Sequence, residues 1–278
     1  MTDLETAPFA GKIAVITGGA QGIGEASARL MARRGAAGLV LVDRQAEKLA
    51  AVAAELSAGG TKTIAVATDL ADAEAVARVM PAADAAFGRV DILANIAGLT
   101  ERGGILETDL ALFDRMMAVN VRAPFFLMQD AIRLMMRERS GGAIVNILSV
   151  NAHVGGANLA PYSASKGALA TLSKNVANAV NYDRIRVNGI LLGWAETPGE
   201  HETLKRFHNA QPDWAEKAAP TRPFGRLINA DDVARMVAFL AGPESFPMTG
   251  SNIDFEQSVF GGNAGAMAMA GYPMASKT

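Results

Sequence analysis

The sequence contains no cysteine. A disulfide framework, thiolate catalysis and a cysteine-ligated metal are therefore excluded. Only three histidines are present, without the paired spacing of a ligand set, so no metal is expected. Neither sign of charge dominates: 26 Lys and Arg stand against 28 Asp and Glu. No basic cluster interleaves with aromatics, which removes the electrostatic footing of nucleic-acid binding. No apolar run reaches the ~18 residues of a membrane span. The opening MTDLETAPFAGK carries acids where a secretory leader carries a basic and then an apolar run. These absences leave a cytoplasmic protein with small-molecule partners as the expectation.

What is present is enough apolar material for a large core, 50% of 278 residues. It comes in short runs: IAVIT at 13–17, LVLVD at 39–43, TIAVAT at 63–68, VDILAN at 90–95 and AIVNIL at 143–148. Longer helical patterns lie between them at 23–34, 46–58, 73–87 and 163–181. The first four runs are apolar almost throughout, as strands covered on both faces should be. Strand and helix in alternation predict an α/β fold: one Rossmann-type, doubly wound parallel sheet of about seven strands with helices on both faces. Further strands fit 185–191 and 251–255. No repeat or linker divides the chain, so 1–278 reads as one domain. Residues 197–223, polar and rich in His, Trp and Pro, break the rhythm as a substrate lid or a surface excursion. Residues 261–278 read as an irregular tail.

The turn after the first run is TGGAQGIG. Gly18, Gly22 and Gly24 stand where a strand passes into a helix, a place where backbone N–H groups and a helix N-terminus can meet a pyrophosphate. Gln21 and Ile23 belong to the same turn. Asp43 ends the next strand, where a carboxylate accepts both ribose hydroxyls of an adenosine and repels a 2′-phosphate. NAD is thus expected rather than NADP, although the neighbouring Arg44 leaves some tolerance of phosphate. Asp69, beside Leu70 after the third strand, suits either the adenine edge or a helix N-cap for the segment starting near Asp72.

Together with that turn, NIAG at 95–98, Asn120 in MAVNVRAPF, Ser149 in NILSV, YSASK at 162–166 and RVNGILLGWAETP at 186–198 resemble the blocks of the short-chain dehydrogenase/reductase family, in its order. The resemblance spans roughly residues 10–255. Two positions depart from it: Ile96 replaces the second Asn of an NNAG motif, and Leu192 replaces the Pro of a PG pair. The resemblance implies a hydride-transferring oxidoreductase, commonly a homotetramer, with Asn95, Ala97 and Gly98 along the cofactor. The run FFLMQDAIRLMM at 125–136 suits a helix buried on more than one side, whether in a core or at such an interface.

Tyr162 and Lys166 lie four apart at the start of a helical pattern, on one face. An alcohol carbon releases hydride only as its hydroxyl loses a proton, and a phenol with a pKa near 10 is a weak base at neutrality. Lys166 and a cationic nicotinamide are expected to lower it. By resemblance Lys166 also holds the nicotinamide ribose, and Asn120 binds a water linking Lys166 to solvent. Ser149, at a strand end, is placed to hold the substrate oxygen or simply to turn the chain. Thr197 holds the carboxamide by resemblance, or caps a helix before Pro198.

Asn151, His153, Asn158, Trp194, Glu196 and His201 are the expected pocket lining with Ser149. Burying these unpaired against an apolar substrate costs about 1–3 kcal/mol each. A sugar or polyol, for example an aldose oxidised to its lactone, is therefore expected. Reduction of keto-acyl, aromatic-ketone or quinone substrates is the alternative, weighed against by His208, Gln211, Trp214 and Lys217 in the lid. A non-catalytic NAD-binding sensor is the remaining possibility. Glu256 and Gln257 after the last strand either reach a neighbouring subunit's pocket or support the sheet.

Overall fold

The computed structural model describes residues 7–259. The N-terminal six residues and the expected tail at 261–278 lie outside the described residues. The strands are β1 (Ile13–Thr17), β2 (Gly38–Asp43), β3 (Lys62–Ala67), β4 (Ile92–Asn95), β5 (Gly142–Ile147), β6 (Ile185–Leu192), β7 (Ala195–Glu196), β8 (Ile228–Asn229) and β9 (Asn252–Phe255). The helices are α1 (Gly22–Arg33), α2 (Ala46–Ala58), α3 (Ala73–Ala77), α4 (Val79–Phe87), α5 (Leu110–Met117), α6 (Ala123–Glu138), α7 (Asn151–Val154), α8 (Ala160–Val180), α9 (Pro198–His208), α10 (Trp214–Ala218) and α11 (Ala230–Ala241).

Seven strands form one parallel sheet in the order β3-β2-β1-β4-β5-β6-β9, while β7 and β8 pair separately. The period-two geometry of a strand explains the unbroken apolar runs. Ala14 and Ile16 of β1 enter the core under α1, α2 and α11. Val15 between them enters the opposite core, with Met80 of α4, Leu127 of α6 and Leu169 of α8. The edge strand β3 departs from this expectation: with one side unpaired, none of its residues is fully buried. The expected helix at 73–87 is also broken, at Arg78. Pro81 has no N–H for the carbonyl of Ala77, and its ring crowds that carbonyl, so the helix restarts.

Strand order reverses between β1 and β4. Their C-terminal ends diverge there, leaving the crevice in which open α/β sheets bind ligands. Residues 197–223 fold as α9 and α10 with a short 3₁₀ turn over that crevice. They carry a small core of their own: Trp214, Ala215 and Leu227, packed against Trp194 and Leu204.

Candidate active site

A cleft of about 1030 Å³ runs along the C-terminal edge of the sheet. At its cofactor end lie Gly18, Gln21, Gly22, Ile23 and Gly24, then Asp43, Arg44, Asp69, Leu70, Ala97 and Gly98. Gly18 has φ +75°, in the left-handed region that glycine tolerates. A Cβ on Gly24 would stand 2.1 Å from the Gly18 carbonyl oxygen, so no side chain fits where the turn folds onto α1. The result is a smooth floor of backbone beneath an open helix N-terminus, whose N–H groups the Gln21 side chain does not cap. That floor fits a dinucleotide pyrophosphate. Asp43 is held by N–H donors from Ala20 (3.3 Å) and Gln45 (3.0 Å).

The two readings of Asp69 separate. Asp72 is the helix cap, accepting from Glu74 and Ala75 N–H, whereas Asp69 accepts from Ala71 N–H and lines the cleft. Thr197 does both things at once: its Oγ1 accepts the Glu200 N–H at 3.1 Å, and the residue lines the cleft. Asn95 does neither. It is buried away from the cleft lining, and its Nδ2 donates to Asn146 Oδ1 at 2.8 Å, binding β4 to β5. The substituted Ile96 keeps its backbone anchored, because Thr17 Oγ1 accepts from both Ile96 N–H (2.9 Å) and Ala97 N–H (3.1 Å). Thr17 itself was not anticipated, since a strand-end threonine carries no distinguishing pattern.

Ser149, Tyr162 and Lys166 meet in the cleft lining, while Asn120 lies outside that lining. Tyr162, in the first turn of α8, shares the cleft lining with Ser149, which follows β5. Lys166 lies one turn further along, its Nζ donating to the Ile147 carbonyl at 2.7 Å and standing 5.9 Å from the centre of the Tyr162 ring. Asn120 is fully buried in a π-helical turn, 118–122, that joins α5 to α6. Both hydrogens of its amide are used: Nδ2 donates to the Leu99 carbonyl and Ser165 Oγ, while Oδ1 accepts the Leu99 N–H.

Burial pushes the Tyr162 phenol up to about 12, with Glu200 adding to the rise and Ser149 and Arg102 opposing it. Burial alone pushes the Lys166 ammonium down to about 8. The lowering expected from Lys166 together with a cationic nicotinamide concerns the loaded cleft; among the protein groups, desolvation outweighs the lowering from Ser149 and Arg102.

The expected substrate residues divide. Ser149, Asn151 and Trp194 line the cleft, whereas His153, Asn158, Glu196 and His201 do not. His153 turns out to Asp254 at 2.7 Å. Asn158 is exposed and contributes only its carbonyl, to Gly103 N–H. Glu196 stands 3.5 Å from His201, whose Nδ1 accepts from the Trp214 indole. The lid residues His208, Gln211, Trp214 and Lys217 also miss the lining; Glu202, Thr203, Leu204, Arg206 and Phe207 face the cleft instead. Among the polar groups that do face it, Arg102 and Glu200 form an ion pair and escaped the sequence reading. They come from separate segments, the loop after β4 and the first turn of α9, and only their meeting distinguishes them from surface charge. Glu256 also lines the cleft, its Oε2 accepting the Trp194 N–H at 3.2 Å, while Gln257 bonds the Phe224 N–H and the Arg226 carbonyl. Both thus have partners within their own chain.

A glycine-lined cleft at the sheet reversal, with a phenol, a hydroxyl and an amine gathered beside it, is the layout of a nicotinamide-dependent oxidoreductase, and the family comparison agrees. The short chain dehydrogenase family profile matches residues 12–206, and the chain belongs to that family. It is an oxidoreductase acting on CH–OH groups. The chain is 37% identical to a cis-4-hydroxycyclohexanecarboxylate dehydrogenase of Sinomonas cyclohexanicum, over 84% of this chain and 90% of that one. It is 32% identical to an L-rhamnose 1-dehydrogenase (NAD(P)(+)) of Azotobacter vinelandii, over 90% and 96%. Among solved structures, a 3-ketoacyl-(acyl-carrier-protein) reductase from Brucella melitensis complexed with NADH superposes with TM-score 0.78 at 31% identity, covering 90% of this chain and 98% of that one. Among the described residues no helix is long and apolar enough to cross a membrane.

Proposed function

We propose that this chain is an NAD-dependent dehydrogenase that interconverts a hydroxyl and a carbonyl on a small polar ring, a sugar, polyol or related cyclic alcohol. The observation that carries the reading is the meeting of Ser149, Tyr162 and Lys166 in the lining of one glycine-lined cleft. Nicotinamide, when bound, supplies the hydride acceptor or donor. Gly18 to Gly24 hold its pyrophosphate, Asp43 its adenosine ribose, and Ala97, Gly98, Lys166 and Thr197 its nicotinamide half. Ser149 orients the substrate oxygen, Tyr162 takes or gives its proton, and Lys166 holds positive charge beside the phenolate that forms. Asn120 spends its side chain on Leu99 and Ser165, which keeps the π-turn and its backbone in place for the proton relay to solvent. The named relatives, acting on a hydroxycyclohexane and on L-rhamnose, support a ring substrate.

The lid role of 197–223, a cytoplasmic location and a homotetramer complete the proposal. The tetramer draws support from exposed Phe113, Phe125, Phe126 and Met136 on α5 and α6, a concentration of apolar surface suited to a partner. Reduction of a less polar ketone is the second reading, favoured by Leu204 and Phe207 over the cleft.

The test follows reduced-nicotinamide absorbance with NAD or NADP against aldoses, polyols, cyclic alcohols and apolar secondary alcohols, in wild type and Tyr162→Phe. Turnover with NAD on ring alcohols, falling about 10²–10⁴-fold in the variant while NADH still binds, is expected. Turnover retained in the variant, or confined to apolar alcohols, overturns the catalytic or the substrate assignment respectively.

A further inference from the structure

The Arg102–Glu200 pair faces the cleft from two chain segments that nothing but the folded chain brings together. The loop after β4 carries Arg102. Gly103, its neighbour, exchanges backbone hydrogen bonds with Asn158 and Ala160, at the entrance to the helix of Tyr162. Glu200 lies in the first turn of α9, fixed by the Thr197 cap. Their closest approach, Arg102 NH2 to Glu200 Oε1, is 3.5 Å, with both side chains about 15% exposed (15% and 16%).

The donor and acceptor inventory of the pair is incomplete in an informative way. Glu200 Oε1 takes the Trp194 indole N–H at 3.1 Å as well as the guanidinium. Among the described residues, Oε2 has no hydrogen-bond partner. Arg102 gives Nε–H to His208 Nε2 and one NH1 hydrogen to the Thr100 carbonyl, which leaves further N–H donors. A mostly desolvated pair that still holds one acceptor and spare donors, with its charges balanced, suits a neutral group that both gives and takes a hydrogen bond. A hydroxyl is such a group, whereas a second carboxylate would meet Glu200. Both residues line the same cleft as Tyr162 and Ser149.

We propose that Arg102 and Glu200 bind a second hydroxyl of the substrate, so that the enzyme selects ring alcohols with at least two hydroxyls over monohydric ones. The inference rests on the proposed reading of Tyr162 and narrows its substrate class. It also restores a polar recognition element that His153, Asn158 and Glu196 do not provide.

The probes are cyclohexanol, the isomeric cyclohexanediols and cis-4-hydroxycyclohexanecarboxylate, compared by kcat/KM with NAD. The best diol is expected to exceed cyclohexanol at least tenfold in the wild type. Glu200→Gln replaces the free acceptor by a donor, and Arg102→Lys removes the planar donors; each is expected to cut that ratio about tenfold or more. Because the ratio is read within one protein, a variant that merely loses stability lowers both rates in parallel. Parallel loss overturns the inference, as does a wild type indifferent to the second hydroxyl or one that prefers the carboxylate to every diol. Absence of turnover on any alcohol removes the underlying reading and the inference with it.

Discussion

Replacing Asp43 by Asn isolates one charge at the place where the two nicotinamide dinucleotides differ. The carboxylate closes β2 and is fixed by the N–H groups of Ala20 and Gln45, so it cannot swing away from a ligand at no cost. Against a 2′-phosphate of charge about −2, at roughly 5 Å and an effective dielectric of about 40–60, Coulomb repulsion amounts to roughly 2–3 kcal/mol. That corresponds to about 30- to 150-fold in relative affinity. Asn keeps the size of the side chain and one of its two acceptors but removes the repulsion. Arg44, which also lines this end of the cleft, is then free to attract the phosphate. The assay is kcat/KM with NAD and NADP on a single substrate. The wild type is expected to prefer NAD by this factor, and the variant to approach parity. A wild type that uses both equally, or a ratio unmoved by the substitution, refutes the assignment of Asp43.

Lys166→Met is expected to stabilise the fold while abolishing oxidation. The ammonium titrates near 8 in the folded chain instead of 10.5, a depression of roughly 3 kcal/mol at full effect. That penalty builds as pH falls from the unfolded value to the folded one and is complete below it. Allowing about 1 kcal/mol for the lost bond to the Ile147 carbonyl, a gain of about 2 kcal/mol at pH 7 should shrink as the pH approaches 10.5; denaturant titrations at both pH values check it. Gly24→Ala drives a methyl into the Gly18 carbonyl, where only backbone can yield. We expect a loss of about 1–3 kcal/mol of stability and a parallel loss of NADH affinity, measured by fluorescence titration; binding within twofold of wild type contradicts the packed turn.

The sheet was legible because its inner strands are buried on both faces, which writes the run of apolar residues directly into the sequence. β3 was legible for a weaker reason, since at the edge its apolar side chains are only half covered. The Tyr162, Lys166, Ser149 and Asn120 positions were legible through ordered motifs. The substrate wall was not, because composition says which residues are polar and not which way a loop turns them. His153 and Asn158 sit within ten residues of Ser149, yet the short helix α7 and the turn after it send them outward. Arg102 and Glu200 are separated by 98 positions, and their meeting depends on the loop after β4 docking onto α8. The upward push of burial on the phenol has no sequence signal for a related reason: desolvation belongs to the packed cleft, and no spacing rule reports it.

The π-turn at 118–122 has a consequence for how this chain can change. A regular helix advances about 100° per residue, and a π-turn accommodates one residue beyond that count without breaking the rod from Leu110 to Glu138. The extra residue is absorbed within the wider turn, so the helices on either side keep the faces they present. Removing one residue between Ala118 and Arg122 would let the rod become regular with Leu127 and Met135 still against the sheet. What would be lost is the widened turn itself, and with it the reach of Asn120 to Leu99 and Ser165. The core of this helix could tolerate the shorter chain, whereas the backbone beside the cleft could not.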